Sequence, residues 1–382
     1  MLWWLLHASV SPASEDARSV WSGGVQWGTA VTARANAYWL DDGRVPYGMP
    51  FADVAVDSVL LTSSLMSVSW NLGISDFLAE LSPNTASASF VGQVSASWGD
   101  DFVITTGWGT MWAGRVDTVS VTRDTAGDRW TTVTAIDKVG VLGTAELRAS
   151  NGVAGTLDAI AVSLADAAGV TITVEDTSDG TYGLASLQRF AYFGDTFDGS
   201  PLEYINMAAR SSNAWFVLAP DGSYIAQTRE ALPSAPSSVA LTGSNAPVSW
   251  TTTSSPDASI NRWLFSNPDG TEVGGSSDAA DIKVYGEHAY RIDQFLDVDT
   301  GSGVALAFEE WWAAGAVHRD VVTNGELVVS DFSQYELLTL SPLDWVTESG
   351  DDWQVMSMSW SVAGPRQPMR LVITADGFRD HL

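Results

Sequence analysis

The residues of this chain best equipped for hydrolytic chemistry are four adjacent carboxylate pairs, Asp41-Asp42, Asp100-Asp101, Glu309-Glu310 and Asp351-Asp352. Glycoside hydrolysis needs two carboxylates facing each other across a sugar. Neighbours along a strand point to opposite faces, and a chain with 46 acidic residues forms such pairs by chance. The segment Asp297-Val298-Asp299-Thr300-Gly301-Ser302-Gly303 offers a second chemistry. Asp297 and Asp299 alternate as oxygen ligands do at the start of a calcium loop, with a glycine for the turn. The third acidic ligand and the closing bidentate Glu are missing, and Thr300 or Ser302 capping a following helix explains the segment as well. Only four histidines occur, His7, His288, His318 and His381, with no two at helical i, i+4 spacing. There is no cysteine, which excludes thiol nucleophiles, disulfide scaffolds and Cys-ligated zinc. No G-x-S-x-G elbow, P-loop or H-E-x-x-H motif is present. The expectation is a protein that is not an enzyme and carries no cofactor.

Two compositional features remain. Against 46 acidic residues stand only 18 Lys and Arg, giving a formal net charge of −28. Phosphate contacts need clustered cations, so this charge argues against binding nucleic-acid backbone. It suits a soluble protein, or a wall along which DNA slides without sticking. There are also 18 Trp. Indole faces stack on sugars, but Trp is equally a core or subunit-interface residue. Trp70, Trp130, Trp353 and Trp360 lie inside strand patterns, which makes core or interface the default.

The elements that would position these residues are mostly strands. Val68, Trp70 and Leu72 alternate with Ser67, Ser69 and Asn71, a period-2 pattern with one apolar face. Met356, Met358, Trp360 and Val362 alternate with serines in the same way, and Met369, Leu371 and Ile373 repeat the pattern. A Val/Thr-rich hairpin is expected between Gly114 and Ile136, turning at Thr125–Asp128. Three helices are expected. One runs over about Leu157–Ala168, capped by Thr156 and stopped at Gly169. Another opens at Ser200-Pro201-Leu202-Glu203 with a capping box, and a third covers about Gly303–Ala314. Strands through Trp215–Leu218 and Tyr224-Ile225 flank a Pro220-Asp221-Gly222 turn. These patterns give a mainly β chain with an α+β insert: a β domain over 1–145, an α+β segment over 146–232, and a second β-rich domain with one helix over 233–382. The apolar start Met1–Leu6 is expected to be a strand rather than an export signal. No run approaches the length of a membrane span, and no fixed-period repeat is visible.

Several of these segments, in this order, resemble phage minor tail proteins: the tail hubs of long-tailed actinobacterial phages, which are similar to contractile-tail baseplate hubs. Trp108-Gly109-Thr110-Met111-Trp112-Ala113-Gly114-Arg115-Val116-Asp117, followed by a strand ending Thr134-Ala135-Ile136-Asp137, is similar to one feature of that family. Leu202–Ile205 leading to Trp215-Phe216-Val217 and Asp221-Gly222-Ser223 is similar to its next segment. Glu326–Val329, Leu340–Val346 with Pro342 and Asp344, and the final strands resemble its last domain. The resemblance gives Trp112, Gly114, Arg115, Val116, Asp137, Trp215, Asp221, Gly222, Pro342 and Asp344 structural roles. It implies two tail-tube-like β-barrels per chain and a homotrimer forming a ring of six barrels at the virion's tail tip. The implied neighbours are a distal tail protein or the last tail-tube ring, the tape-measure protein, and a fibre or other tip proteins. DNA would pass through without specific binding, and the −28 charge adds the expectation of an acidic channel wall. Two other functions stay open: a Trp-rich adhesin that binds cell-wall glycan, and a glycosidase supported by the carboxylate pairs alone.

Overall fold

Alternation of apolar and hydroxyl side chains builds one large sheet, antiparallel except where its short marginal strand 238–240 runs parallel to 345–347. The computed structural model describes residues 25–27, 31–33, 52–61, 64–145, 147–149, 155–177, 197–229, 238–254, 261–292 and 319–378, with short gaps inside the longer runs. The expected helix near Gly303–Ala314, the Asp297 and Asp299 candidates, Asp41-Asp42, Glu309-Glu310 and the N-terminal apolar run lie outside the described residues.

Two short strands, β1 (Val25–Trp27) and β2 (Val31–Ala33), pair with each other. The first part of the large sheet comprises β3 (Asp53–Val56), β4 (Val59–Leu60), β5 (Leu65–Gly73), β6 (Thr85–Val91), β7 (Asp101–Thr106), β8 (Gly109–Arg123) and β9 (Arg129–Ile136). The insert follows with α1 (Lys138–Thr144), β10 (Leu147–Ala149), α2 (Leu157–Ala167), β11 (Val174–Asp176), β12 (Phe197–Gly199), α3 (Pro201–Ser211), β13 (Ala214–Leu218) and β14 (Tyr224–Thr228). The rest of the large sheet is β15 (Ser238–Ala240), β16 (Ser249–Ser254), β20 (Arg319–Val329), β21 (Trp345–Glu348), β22 (Asp351–Val362) and β23 (Met369–Phe378). Between β16 and β20 a separate three-stranded sheet holds β17 (Arg262–Ser266), β18 (Glu272–Ser277) and β19 (Ala289–Ile292), with α4 (Ala279–Tyr285) before β19. A four-residue helix, α5 (Tyr335–Leu338), precedes β21.

The fold is mainly β, as the sequence predicts, with helices concentrated in the insert. The expectation of closed barrels needs correction. Strands follow an open path, β16-β20-β23-β22-β5-β6-β9-β8-β7-β3-β4, with β21 attached to β22 and β15 to β21. No pairing among the described residues closes this path. The physical reason is that β22 spends its outer edge on β5, from Ser357↔Gly73 to Val362↔Val68, so the two β regions fuse into one sheet.

The eight central strands are two modules in tandem. In each, the order across the sheet is first, second, fourth, third in the chain: β5-β6-β9-β8 and β16-β20-β23-β22. Each third strand carries a bulge at the same place. Val116 faces Ala135 and Thr118 faces Thr134, leaving Asp117 as the extra residue. Val355 faces Ala375 and Ser357 faces Thr374, leaving Met356 extra. A bulge bends its strand and increases the local twist. Ahead of it, β8 pairs with β7 and β22 with β21, both away from the central eight.

Along β5, β9, β22 and β23, buried residues alternate with partly or fully exposed ones. The buried face carries Trp70, Trp360, Met358, Leu371, Phe90 and Val133, all 2% exposed or less. Trp70 and Trp360 are register partners across the joint between modules, and their rings stack at 5.9 Å. The insert stacks α2 and α3 on the three-stranded sheet β11-β14-β13. Ser200 and Glu203 form the expected capping box, with backbone-to-side-chain bonds of 2.9 and 3.2 Å. Gly169, at φ +73°, ends α2, while Thr156 sits at the N-cap position without a side-chain bond.

Candidate functional site

The polar face of the eight-stranded sheet is the candidate site. Alternation turns Ser67, Ser69 and Asn71 outward on β5, and Ser357, Ser359 and Ser361 outward on β22. Register places Ser87 and Ser89 of β6 beside Thr134 and Thr132 of β9, and those beside Thr118 and Ser120 of β8. Side chains are hydrogen-bonded across most of the strand boundaries. Asn324 Nδ2 of β20 donates to Ser249 Oγ of β16 at 3.3 Å. Arg370 Nε of β23 donates to Glu326 Oε1 of β20 at 2.9 Å. The Ser357 and Thr374 hydroxyls bond at 2.7 Å, and Thr85 Oγ1 donates to Asn71 Oδ1 at 3.1 Å. Ser89 bonds Thr132 at 3.4 Å, and the Thr118 and Thr134 hydroxyls bond each other. Each such cross-strand pair contributes roughly 0.2–1 kcal/mol, so the rungs stiffen the sheet more than they stabilise the chain.

Electrostatically this face is quiet. In the rows just described the charged side chains are Arg115, Glu326 and Arg370, and the last two pair with each other. Of the 46 acidic residues only Glu326, paired with Arg370, stands in these described rows, with Asp117 at one bulge and the buried Asp376 beside the other at their border.

The ten residues singled out by sequence do not converge on this face. Trp112 is fully buried, edge-on to Phe102 at 5.8 Å. A Cβ on Gly114 would run into the Trp112 ring and the Ile136 carbonyl, so the strand is packed too closely there for a side chain. Val116 is buried and Arg115 exposed on opposite sides of β8. Trp215 lies buried in β13 beneath the Arg229 guanidinium, 5.9 Å from the ring. Asp221 Oδ1 accepts from Ser223 N at 2.9 Å, and Gly222, at φ +86°, approaches Ala113 so closely that a Cβ would sit 2.9 Å from that residue's Cβ. Pro342 is buried in the turn that Asp344 closes by accepting from Ser341 N at 2.7 Å.

Asp137 does more than its motif suggests. It caps α1 by accepting from Gly140 N at 2.9 Å, and it accepts from Asn84 N and Nδ2 at 3.0 and 3.1 Å. Burial pushes its pKa up to about 6 despite these bonds. Beside it, Tyr224 Oη of the insert accepts from Val139 N at 3.0 Å; burial, then the Asp137 charge, raises its pKa well above the usual range. Asn206 Nδ2 donating to Leu81 O at 3.1 Å, and Arg210 with Glu80 at 3.0 Å, complete the attachment of the insert to the first module.

Nothing catalytic is assembled among the described residues. Asp100 is occupied in a turn, accepting from Ser97 N at 2.7 Å, and Asp352 accepts from Thr347 Oγ1 at 2.6 Å. No group of three or more His, Asp or Glu placed to hold a metal occurs among the described residues. Trp70, Trp112, Trp215, Trp353 and Trp360 are core residues, whereas Trp98 is 82% exposed.

No family model and no curated protein matches the chain. Solved structures do. The 43 kDa tail protein of prophage MuSo2 from Shewanella oneidensis is similar at a TM-score of 0.57 and 12% identity, over 85% of this chain and 96% of that one. A tail protein from Neisseria meningitidis MC58 gives 0.58 and 12%, over 86% and 96%. An E. coli type VI secretion component, described as structurally similar to the T4 bacteriophage tail proteins gp27 and gp5, gives 0.51 and 10%, over 86% and 77%. At these identities the likeness is one of fold: the chain has the fold of phage tail and baseplate-hub-like proteins.

Proposed function

We propose that the chain is a structural subunit of a phage tail tip. Three copies form a hub ring, each contributing two strand modules, so that six modules surround a central passage. The observation that carries this reading is the tandem arrangement: two four-stranded modules of identical strand order, running the same way around one sheet. A chain built so is already a third of a six-module ring, and the fold of the structural neighbours points the same way. The division into 1–145, 146–232 and 233–382 belongs to this proposal. On it, the ring sits in the virion between the last tail-tube ring or a distal tail protein and the fibre or other tip proteins. The tape-measure protein and then DNA pass inside.

The hydroxyl face is the wall of that passage. The insert packs against β5 and β9 and its bulk belongs outside a ring, while the serines and threonines of the polar face stay exposed or half-exposed among the described residues. The wall is then close to neutral, and this replaces the acidic wall expected from net charge. DNA is kept mobile by the sparseness of cations, Arg115 and the Glu326-paired Arg370 among the described residues, and not by repulsion.

Mass measurement of the full chain in solution tests the proposal. Three times the 40.7 kDa chain is expected. A stable monomer that binds cell-wall glycan overturns it in favour of the adhesin.

A further inference from the structure

The two outer edges of the eight-stranded sheet belong to β16 and to the part of β8 beyond its bulge. Among the described residues neither has a strand alongside. Natural edge strands are usually guarded by charge, proline or extreme shortness, because bare ladder groups recruit other chains. β16 reads Ser-Trp-Thr-Thr-Thr-Ser and carries no charge at all, in a chain of net charge −28. Thr118–Thr122 of β8 is likewise uncharged. Val121, on the side of the sheet that is buried elsewhere, is 49% exposed.

The molecule already shows what covers such an edge. Beyond its own bulge, β22 takes β5 alongside, with Trp360 opposite Trp70. Val121 is the third residue after Thr118, as Trp360 is after Ser357, so the two are equivalent. The equivalent of Trp70 follows from the ladders. Trp70 faces Ala86, which faces Ala135 at the first bulge. Thr252 faces Val322, which faces Ala375 at the second.

We infer that β8 of one copy pairs antiparallel with β16 of a second copy, with Val121 opposite Thr252, repeating between chains the joint that β22 and β5 make within one. The pairing is head-to-tail, the kind of contact that closes a ring. This rests on the ring proposed above, and it adds the strands, their direction and their register. The partner's β16 would cover Val121, leave the hydroxyl face continuous across subunits, and satisfy both bare ladders.

The absence of cysteine makes the test clean. Facing residues on antiparallel strands have Cα atoms about 4.5–5.5 Å apart, within disulfide reach. In the full chain, the double variant Val121→Cys/Thr252→Cys is oxidised and run on a non-reducing gel. The expected result is a ladder of linked chains ending at three, at least tenfold above either single variant. Val121→Cys/Thr251→Cys, displaced by one residue and so facing opposite sides of the sheet, is expected to link far less. Ser69→Cys/Ser361→Cys, at the internal joint, is expected to close within one chain and serves as the positive control. A trimer by mass with no linkage at the Val121 pair overturns this inference and leaves the ring standing. A chain that remains monomeric overturns both. A ladder that runs on past three supports the edge pairing and overturns the trimer.

Discussion

The same strand edge occurs twice in this chain, once with a strand alongside and once, among the described residues, without. Beyond Met356, β22 has β5 alongside, and Trp360 is buried to 1% against Trp70. Beyond Asp117, β8 pairs with β9 on one side and among the described residues has no strand on the other, and the equivalent Val121 is 49% exposed. Bulge, register and strand order match; only the presence of a neighbour differs. Burial at these positions follows what lies beside the edge, and on the pairing proposed above the exposed valine is the place where a second copy would sit.

The contrast between the two edges can be broken experimentally, beginning at the covered joint. Trp360→Ala empties that joint and is expected to cost about 3–5 kcal/mol, read as a drop in the denaturation midpoint. Val121→Ala in the isolated chain should stay within about 0.5 kcal/mol. Equal losses would mean that the two edges are not equivalent. Gly73→Ala comes next. Gly73 has φ +95°, and its added Cβ would run into the Met356 carbonyl, which also accepts from Ile74 N at 3.0 Å. A loss of about 1–3 kcal/mol is expected, and no loss would show that the joint tolerates a shift at the bulge.

Asp137 sharpens the contrast from the insert side. Its folded-state pKa of about 6 stands above the ordinary 3.8. The stability it contributes is therefore fully present below about pH 4 and is lost as pH rises through 6. The change should be about 3 kcal/mol, and Asp137→Asn should flatten this slope in pH-dependent unfolding. The smallest effect is expected on the hydroxyl face. Ser89→Ala removes one rung bond of 3.4 Å and should cost well under 1 kcal/mol. A large loss there would mean that the face holds the modules together, which the proposed role as a wall does not require.

Much of this fold is legible along the chain, because strand alternation and helix caps are local. Val68, Trp70 and Leu72 turn inward as their spacing predicts, and Ser200 with Glu203 caps α3. The functional face is in view too, as the serines of β5 and β22, but a single strand gives no way to know that its polar side continues across seven others. Register is the missing quantity. Ser361 faces Ser69 across almost the whole chain, and no local pattern encodes such a pairing. The module repeat is hidden for a related reason. Its halves share topology, bulge position and the Val–Ala and hydroxyl pairs at the bulge, but these are common strand residues, while Trp70 is matched by Thr252 and Trp360 by Val121, so the large residues do not recur. Net charge does not describe the polar face, since it counts carboxylates without saying which face they occupy.

The rungs on that face carry one more implication. A serine or threonine hydroxyl can rotate to donate or to accept, so it offers nearly the same bond to each group that comes past. None of the hydroxyl positions in these rows is a preferred stop, and leaving one costs little more than meeting the next returns. On the proposed role as a wall, such a surface would act as a lubricant layer, wetting what moves over it and setting a low friction between its few charged side chains.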